Sequence, residues 1–369
     1  MLNKLVPAAA ATLAVFLTQA LPAAACGGLV APNGAIRLDR ATTLVAWHDG
    51  VEHYMTSFSY QGSARSFGWI VPLPTVPDKV EPGGKWTLQR LVRETHPRPF
   101  DLRFGAQLQA ASADTAVVLQ QVQVDALDIT VLSGSGQAVL DWAAANGFAI
   151  DAETHAHVLQ YAKGSPIFMA AKYNTTRAAS QRLLFGDGAP VLITMKLAHP
   201  WVPFEVLAAG QQVKADLYLL SDQPVNTSEL GAALGVSGVG TSVPGADGFT
   251  LKFQEAMTNT LYQDLSSDRN MSWVRPDGWL TYMTLDAPDS KVTYDMSITP
   301  MGVVKIAPFG TNPMAIVDGA KGRPAAANLP TAPMGTGLTL ALLGLAFAAG
   351  LALYRWRRIA HMFDQAPRE

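Results

Sequence analysis

The sequence predicts an α+β fold, mostly antiparallel β-sheet with a helical layer, plus one C-terminal transmembrane helix. Three observations carry that expectation. Short β-rich runs recur along the middle of the chain with turn residues between them. Two segments with helical periodicity and cap residues interrupt these runs. Finally, an uncharged run from Gly335 to Tyr354 is followed at once by Arg355, Trp356, Arg357 and Arg358. That is the length of a membrane span with a positive stop, since about 20 residues at about 1.5 Å rise cross about 30 Å of hydrocarbon.

The two ends of the chain set the expected organisation. Met1 to Lys4 is a short positive start, Leu5 to Leu21 an apolar core and Ala23-Ala24-Ala25 a small-residue cleavage site, so residues 1–25 read as a secretory signal. Residues 26–309 are then an extracytoplasmic domain, residues 310–334 a Pro/Gly/Ala-rich stalk, residues 335–354 the transmembrane helix in contact with membrane lipid, and residues 355–369 a short cytoplasmic tail. Arg355, Arg357 and Arg358 flank the anchor on the cytoplasmic side, following the bias that keeps Lys and Arg inside. The expected location is the cell membrane, single-pass, with the bulk of the chain outside the cytoplasm. The run from Leu329 to Pro333 has the layout of a cell-wall sorting tail, but Ala332 and Pro333 stand where that motif needs Thr and Gly.

Composition narrows the chemistry. Hydrophobic residues make up 49% of the chain and charged residues 15%, enough apolar surface for a large core. A net charge of −2 supplies no basic footprint for nucleic acid, which is not an expected partner. Cys26 is the only cysteine, so intramolecular disulfides and multi-cysteine metal sites are excluded. Cleavage after Ala25 would make Cys26 the first mature residue and leaves two readings, lipidation of its thiol or a free or buried terminal thiol. Ala23, three positions before it, stands where such processing favours Leu.

Taken in order, Leu44 to His48 and Val51 to Thr56 are β-rich runs joined by Asp49-Gly50, a hairpin signal because a type I′ turn needs positive φ at both central residues. A two-residue loop sets His48 opposite Val51, Ala46 opposite His53 and Leu44 opposite Met55. His48 and His53 then share one face, and Val45, Trp47 and Tyr54 the other. Ser66 to Pro77 reads as an apolar strand entering a proline-stiffened crossing. A short helix follows over Lys85 to Thr95, then a strand over Leu127 to Leu132. Two helices are expected at Gln137 to Asn146, stopped by Gly147, and at Ala152 to Lys163, capped by Asp151. Strands return at Val191 to Leu197, Val213 to Leu220, Trp279 to Leu285, Lys291 to Ile298 and Val303 to Ala307, with a helix near Gln254 to Leu265 and a glycine-rich loop over Gly231 to Gly248.

Several of these stretches resemble one known family. Ala-Cys26-Gly-Gly, the hairpin Leu-Val-Ala-Trp-His-Asp-Gly-Val-Glu-His-Tyr, the block Phe-Gly-Trp-Ile-Val-Pro-Leu-Pro, and Leu-Asp-Trp-Ala-Ala-Ala-Asn-Gly-Phe with Phe168 to Lys172 are similar to the bacterial domain of unknown function 2330. The resemblance covers most of the 26–309 segment and leaves out the stalk and anchor. It implies an exported context and brings no activity or site residue.

Catalytic templates find no match in the chain: there is no Gly-x-Ser-x-Gly elbow, no His-Glu-x-x-His helix and no phosphate loop with its lysine. His155 and His157 point to opposite sides of the predicted helix, and Glu153 with His157 is expected to form a surface pair. Six tryptophans, Trp47, Trp69, Trp86, Trp201, Trp273 and Trp279, are expected mostly in the core, with a carbohydrate-stacking surface as the alternative. No catalytic residue, cofactor or metal is expected; His48 and His53 are the only candidates for metal ligation, and they would need a third ligand from elsewhere. The expected function is a non-catalytic cell-envelope binding or scaffold module, whose partner is a cell-envelope polymer or protein. The alternative is an envelope hydrolase acting on wall polymer or peptide.

Overall fold

The computed structural model describes residues 29–31, 36–96, 117–181, 183, 188–208, 210 and 212–308. It is mixed α+β, with mostly antiparallel sheets and few helices. The fold grows from one long hairpin, β2 (Ile36–His48) and β3 (Val51–Gly62), preceded in the chain by the short β1 (Leu29–Val30). Asp49 (φ 47°) and Gly50 (φ 78°) both take positive φ in its turn, the geometry whose twist matches the flanking strands. The register sets His48 opposite Val51, Ala46 opposite His53 and Leu44 opposite Met55, as the two-residue loop requires.

Further strands are β4 (Ser66–Leu73), β5 (Lys79–Pro82), β6 (Val117–Val124), β7 (Leu127–Ser133), β8 (Ile167–Asn174) and β9 (Val191–Lys196). They continue as β10 (Trp201–Val202), β11 (Gln212–Ser221), β12 (Phe249–Ala256), β13 (Trp279–Pro288), β14 (Tyr294–Ile298) and β15 (Val304–Pro308). The hairpin sits in the middle of a seven-stranded sheet ordered β12-β13-β11-β2-β3-β9-β5. Only its β11–β2 pair is parallel. A five-stranded sheet, β1-β4-β8-β7-β6, and a three-stranded one, β10-β14-β15, are antiparallel throughout.

The large sheet is covered on both faces. On one face Phe58 of β3 meets Phe67 and Trp69 of β4 and Tyr173 of β8 at ring distances of 4.7 to 5.9 Å, so aromatic edges join the two larger sheets. On the other face Leu44, Met55, Leu192, Tyr218 and Leu280 pack under α1 (Thr87–Thr95) and the helix Asn259–Ser267. Between those two in the chain lie α2 (Gly136–Ala145), α3 (Ala152–Gly164), α4 (Thr175–Ser180) and α5 (Glu229–Leu234), which makes Asn259–Ser267 α6.

α1 and α6 are clasped by one carboxylate. Trp86, at the start of α1, offers no capping side chain. Asp268, just past α6, takes its place, accepting from the backbone nitrogens of Lys85, Trp86 and Thr87 at 3.0, 2.9 and 2.9 Å and from the Thr87 hydroxyl at 2.8 Å. A carboxylate there satisfies orphan N–H groups and the positive end of the helix dipole together.

The structure corrects the sequence reading in several places. Gln254 to Ala256 closes β12, and the helix begins only at Asn259. The glycine-rich stretch contains the end of α5. Lys291 belongs to a 3-10 turn before β14. His157 is buried, with Nε2 3.3 Å from Glu205 Oε1, because it shares the inward face of α3 with Val158 and Tyr161. The expected signal 1–25, Cys26, the stalk 310–334, the span 335–354 and Arg355, Arg357 and Arg358 lie outside the described residues. Among the described residues no helix is long and apolar enough to cross a membrane.

Candidate functional site

Beside the Asp49-Gly50 turn the large sheet opens into a cleft of about 310 Å³. Strand alternation decides what lines it. Ala46 and His48 of β2 face the same way as Val51 and His53 of β3, and parallel β11 brings Leu220 beside Ala46. Asp222 follows β11. Met257 and the loop residues Trp273, Val274 and Arg275, on either side of α6, close the opposite wall.

His48 is held from both ring nitrogens. Its Nδ1 lies 2.8 Å from each oxygen of Asp222, and its Nε2 3.0 Å from Nη1 of Arg275. A guanidinium only donates, so Nε2 accepts and the proton sits on Nδ1, donated to Asp222. Nε2 is also 3.1 Å from Asp49 Oδ2. Arg275 donates through Nη2 to Asp277 at 2.8 Å, and this bond holds the Asp277 carboxyl below its ordinary range.

His53 is built differently. Its ring lies flat on Trp273, with centroids 4.1 Å apart and planes within 5°, and its Nδ1 is 3.2 Å from the Thr194 hydroxyl. Burial pushes its pKa down to about 4, so the imidazole is neutral near pH 7. Trp273 is fixed by its indole N–H, which donates to the Asn270 carbonyl at 2.8 Å.

The structure thus brings the two histidines singled out by the sequence to one cleft, with separate partners. Among the described residues no three His, Cys, Asp or Glu side chains gather as a metal-holding group. Of the six tryptophans, Trp69 and Trp201 are buried core. Trp47 borders the cleft from the opposite sheet face, where its N–H donates to the Leu197 carbonyl at 2.8 Å. Of the remaining three, Trp273 lines the cleft, whereas Trp86 is exposed and Trp279 half-buried, and neither of those two lines it.

Sequence reasoning missed Asp222, Arg275 and Met257. Asp222 and Arg275 lie 174 and 227 positions from His48, and only the order of strands brings them together. The available signal was the cluster Trp273-Val-Arg275-Pro-Asp277-Gly, an aromatic and two opposite charges in a Pro/Gly loop.

Three further carboxyls anchor hydrogen bonds away from the cleft. Asp216 accepts from Arg40 at 3.0 Å and from the Tyr282 hydroxyl at 2.9 Å. Glu52, fully buried, accepts from the Trp201 backbone N–H at 2.8 Å, and burial pushes its pKa up to about 8. Asp295 accepts from the Tyr161 hydroxyl at 2.6 Å and the Phe204 N–H at 2.9 Å, and burial raises it to about 7. The last two carboxyls pin the segment Trp201 to Leu207 to the core.

No curated protein matches the chain. Among solved structures, the crystal structure of baculovirus P35 is similar at a TM-score of 0.33 and 6% identity, over 75% of this chain and 93% of that one, a likeness too slight to carry an argument. Residues 20–240 match the family of the uncharacterized protein conserved in bacteria, DUF2330, a stretch that includes His48, His53 and Asp222 and ends before Met257, Trp273 and Arg275. With more than half its length in that match, the chain belongs to the bacterial domain of unknown function 2330 family.

Proposed function

We propose that the chain is an exported, membrane-anchored binding module of the bacterial cell envelope, and that it holds its partner, an envelope polymer or protein or a small molecule, in the cleft beside the Asp49-Gly50 turn. Export and anchoring rest on the residues at the two ends of the chain. Binding without turnover rests on one observation: the His48 imidazole and the Ser221 hydroxyl, which hydrolysis could use, are already engaged. Both nitrogens of His48 have partners, and the hydroxyl of Ser221, at the cleft's edge, donates to the Gln223 carbonyl at 2.8 Å. Among the described residues no hydroxyl nucleophile is hydrogen-bonded to that imidazole, as general-base activation requires.

The rival, an envelope hydrolase, draws on one feature. Asp222 fixes the tautomer of His48 as a carboxylate does for a catalytic base. Incubating the purified full-length protein with wall fragments and envelope peptides separates the two readings. Binding without release of fragments, weakened by cleft-filling Met257→Trp in a protein that melts normally, is the expected result; fragments released by the wild type and lost in His48→Gln would establish the hydrolase. For topology, protease added to intact cells should remove the described domain and leave a small membrane-held piece, and full protection would refute export.

A further inference from the structure

We infer that the group held in the cleft is an organic cation, an ammonium carried on an apolar body. This rests on the reading of the cleft as a binding site and adds the chemistry of its ligand. The floor is apolar, made by Ala46, Leu220, Met257 and Val274. A thioether such as that of Met257 adapts to irregular ligands. The wall is the stacked pair of His53 and Trp273, which adds ring surface to the apolar floor. His53 is held neutral by burial, so this wall carries no positive charge to repel the ligand.

The mouth is acidic. Asp49 and Asp222 border it, and Asp277 sits beside them on Arg275, so three carboxylates face one guanidinium. Arg275 is already donating to Asp277 and to His48, which leaves it poorly placed to receive an anion. Lys196, opposite Val51 on the neighbouring strand, is paired with Asp78 at 3.5 Å and does not offset the excess. Asp49 marks the corner. Its Oδ2 is 3.1 Å from a His48 nitrogen that accepts from Arg275, so two acceptors face each other and neither supplies a proton to the other. An ammonium N–H placed there donates to Asp49 while the apolar body lies over the floor. A cleft of about 310 Å³ suits a molecule the size of phenethylammonium.

The test uses three probes of one shape and different charge, phenethylammonium, phenethyl alcohol and phenylacetate, titrated by NMR into the full-length protein with the ring signals of His48 and His53 as reporters. The expected order is ammonium first, the neutral alcohol about tenfold weaker and the anion weaker still. Asp49→Asn should lower affinity for the ammonium severalfold and leave the alcohol unchanged, with His53 still stacked as judged by its unaltered chemical shift. If the alcohol or the anion binds as well as the ammonium, the ligand class is overturned while the cleft stands as a binding site. If no probe moves either histidine, the organic-cation assignment is overturned, and the cleft as a binding site then stands or falls on the Met257→Trp comparison with wall fragments and peptides.

Discussion

Nδ1 of His48 lies 2.8 Å from both carboxylate oxygens of Asp222, and this contact, with the Arg275 donor at Nε2, fixes which nitrogen carries the proton. The other nitrogen is left as an acceptor for Arg275, which in turn donates to Asp277. Removing the carboxylate leaves Arg275, donating to Nε2, as the partner that favours this tautomer, while Asp49 Oδ2, 3.1 Å from Nε2, favours the other. In Asp222→Ala the Nε2–H form should therefore grow in beside the Nδ1–H form. Long-range proton–nitrogen NMR reads this directly: Nδ1–H dominates in the wild type and Nε2–H becomes detectable in the variant. An unchanged spectrum would mean that the Asp222 contact does not hold the ring.

The buried acids predict the pH dependence of stability. Glu52 and Asp295 have folded-state pKa values raised by burial to about 8 and about 7, from 4.5 and 3.8. A carboxyl that stays protonated in the folded state but ionises on unfolding binds more protons when folded, so stability falls as pH rises. The fall from these two groups should run from about pH 4 to about pH 8, and below about pH 6.5 it is partly offset by His53, whose pKa burial lowers to about 4 and whose contribution has the opposite sign. Glu52→Gln keeps an acceptor for the Trp201 N–H and has no charge to lose, so it should remove most of the slope in the upper half of the window. Urea unfolding across that range measures it, and a wild-type slope of the opposite sign would show that other groups dominate.

How much of this was legible in the sequence depends on what each element buries. The β2–β3 hairpin was readable because Asp49-Gly50 dictates its turn and alternation dictates its faces. α2 and α3 were readable from Gly147, which takes φ 77°, and from Asp151, whose side chain accepts from the Glu153 and Thr154 N–H groups. β8 was not, because it lies in the middle of its sheet with Phe168, Met169, Ala170 and Ala171 all at 0% exposure, and a strand buried on both faces shows no alternation. The last three residues of β12, Gln254 to Ala256, were read as helix because no Gly or Pro separates them from α6. The cleft was half legible. His48 and His53 are joined by a local turn, whereas Asp222 and Arg275 reach them only through the parallel β11–β2 pairing and the return of β13.

The clasp between α1 and α6 should be worth measuring as a unit. Asp268→Ala leaves four backbone N–H groups, those of Lys85, Trp86, Thr87 and Arg269, and the Thr87 hydroxyl without their acceptor. The cost should be about 1–3 kcal/mol. Gly84→Ala should also destabilise, because a Cβ there would collide with Thr87 Oγ1 and Asp268 Oδ2. Since the second collision partner is absent in Asp268→Ala, the double variant should lose less than the two single losses together. Strict additivity in denaturant midpoints would show that Gly84 matters for another reason.

The turn offers the sharpest separation of backbone strain from packing. Gly50 has φ 78°, and a Cβ added to it would meet nothing closer than the Leu197 carbonyl at 3.9 Å, so space is not the constraint. What differs among substitutions is tolerance of positive φ, which Asn accepts and a β-branched residue does not. Gly50→Val should therefore cost roughly 1–3 kcal/mol, and Gly50→Asn only a small part of that. The consequence reaches the cleft, because the turn sets the register that puts Ala46 opposite His53 and His48 opposite Val51. A slip of one residue would send both histidines to the far face of the sheet. The measurement pairs urea midpoints with the ring signals of His48 and His53. Equal losses for Val and Asn would show that removing glycine, and not the sign of φ, is what the turn resists.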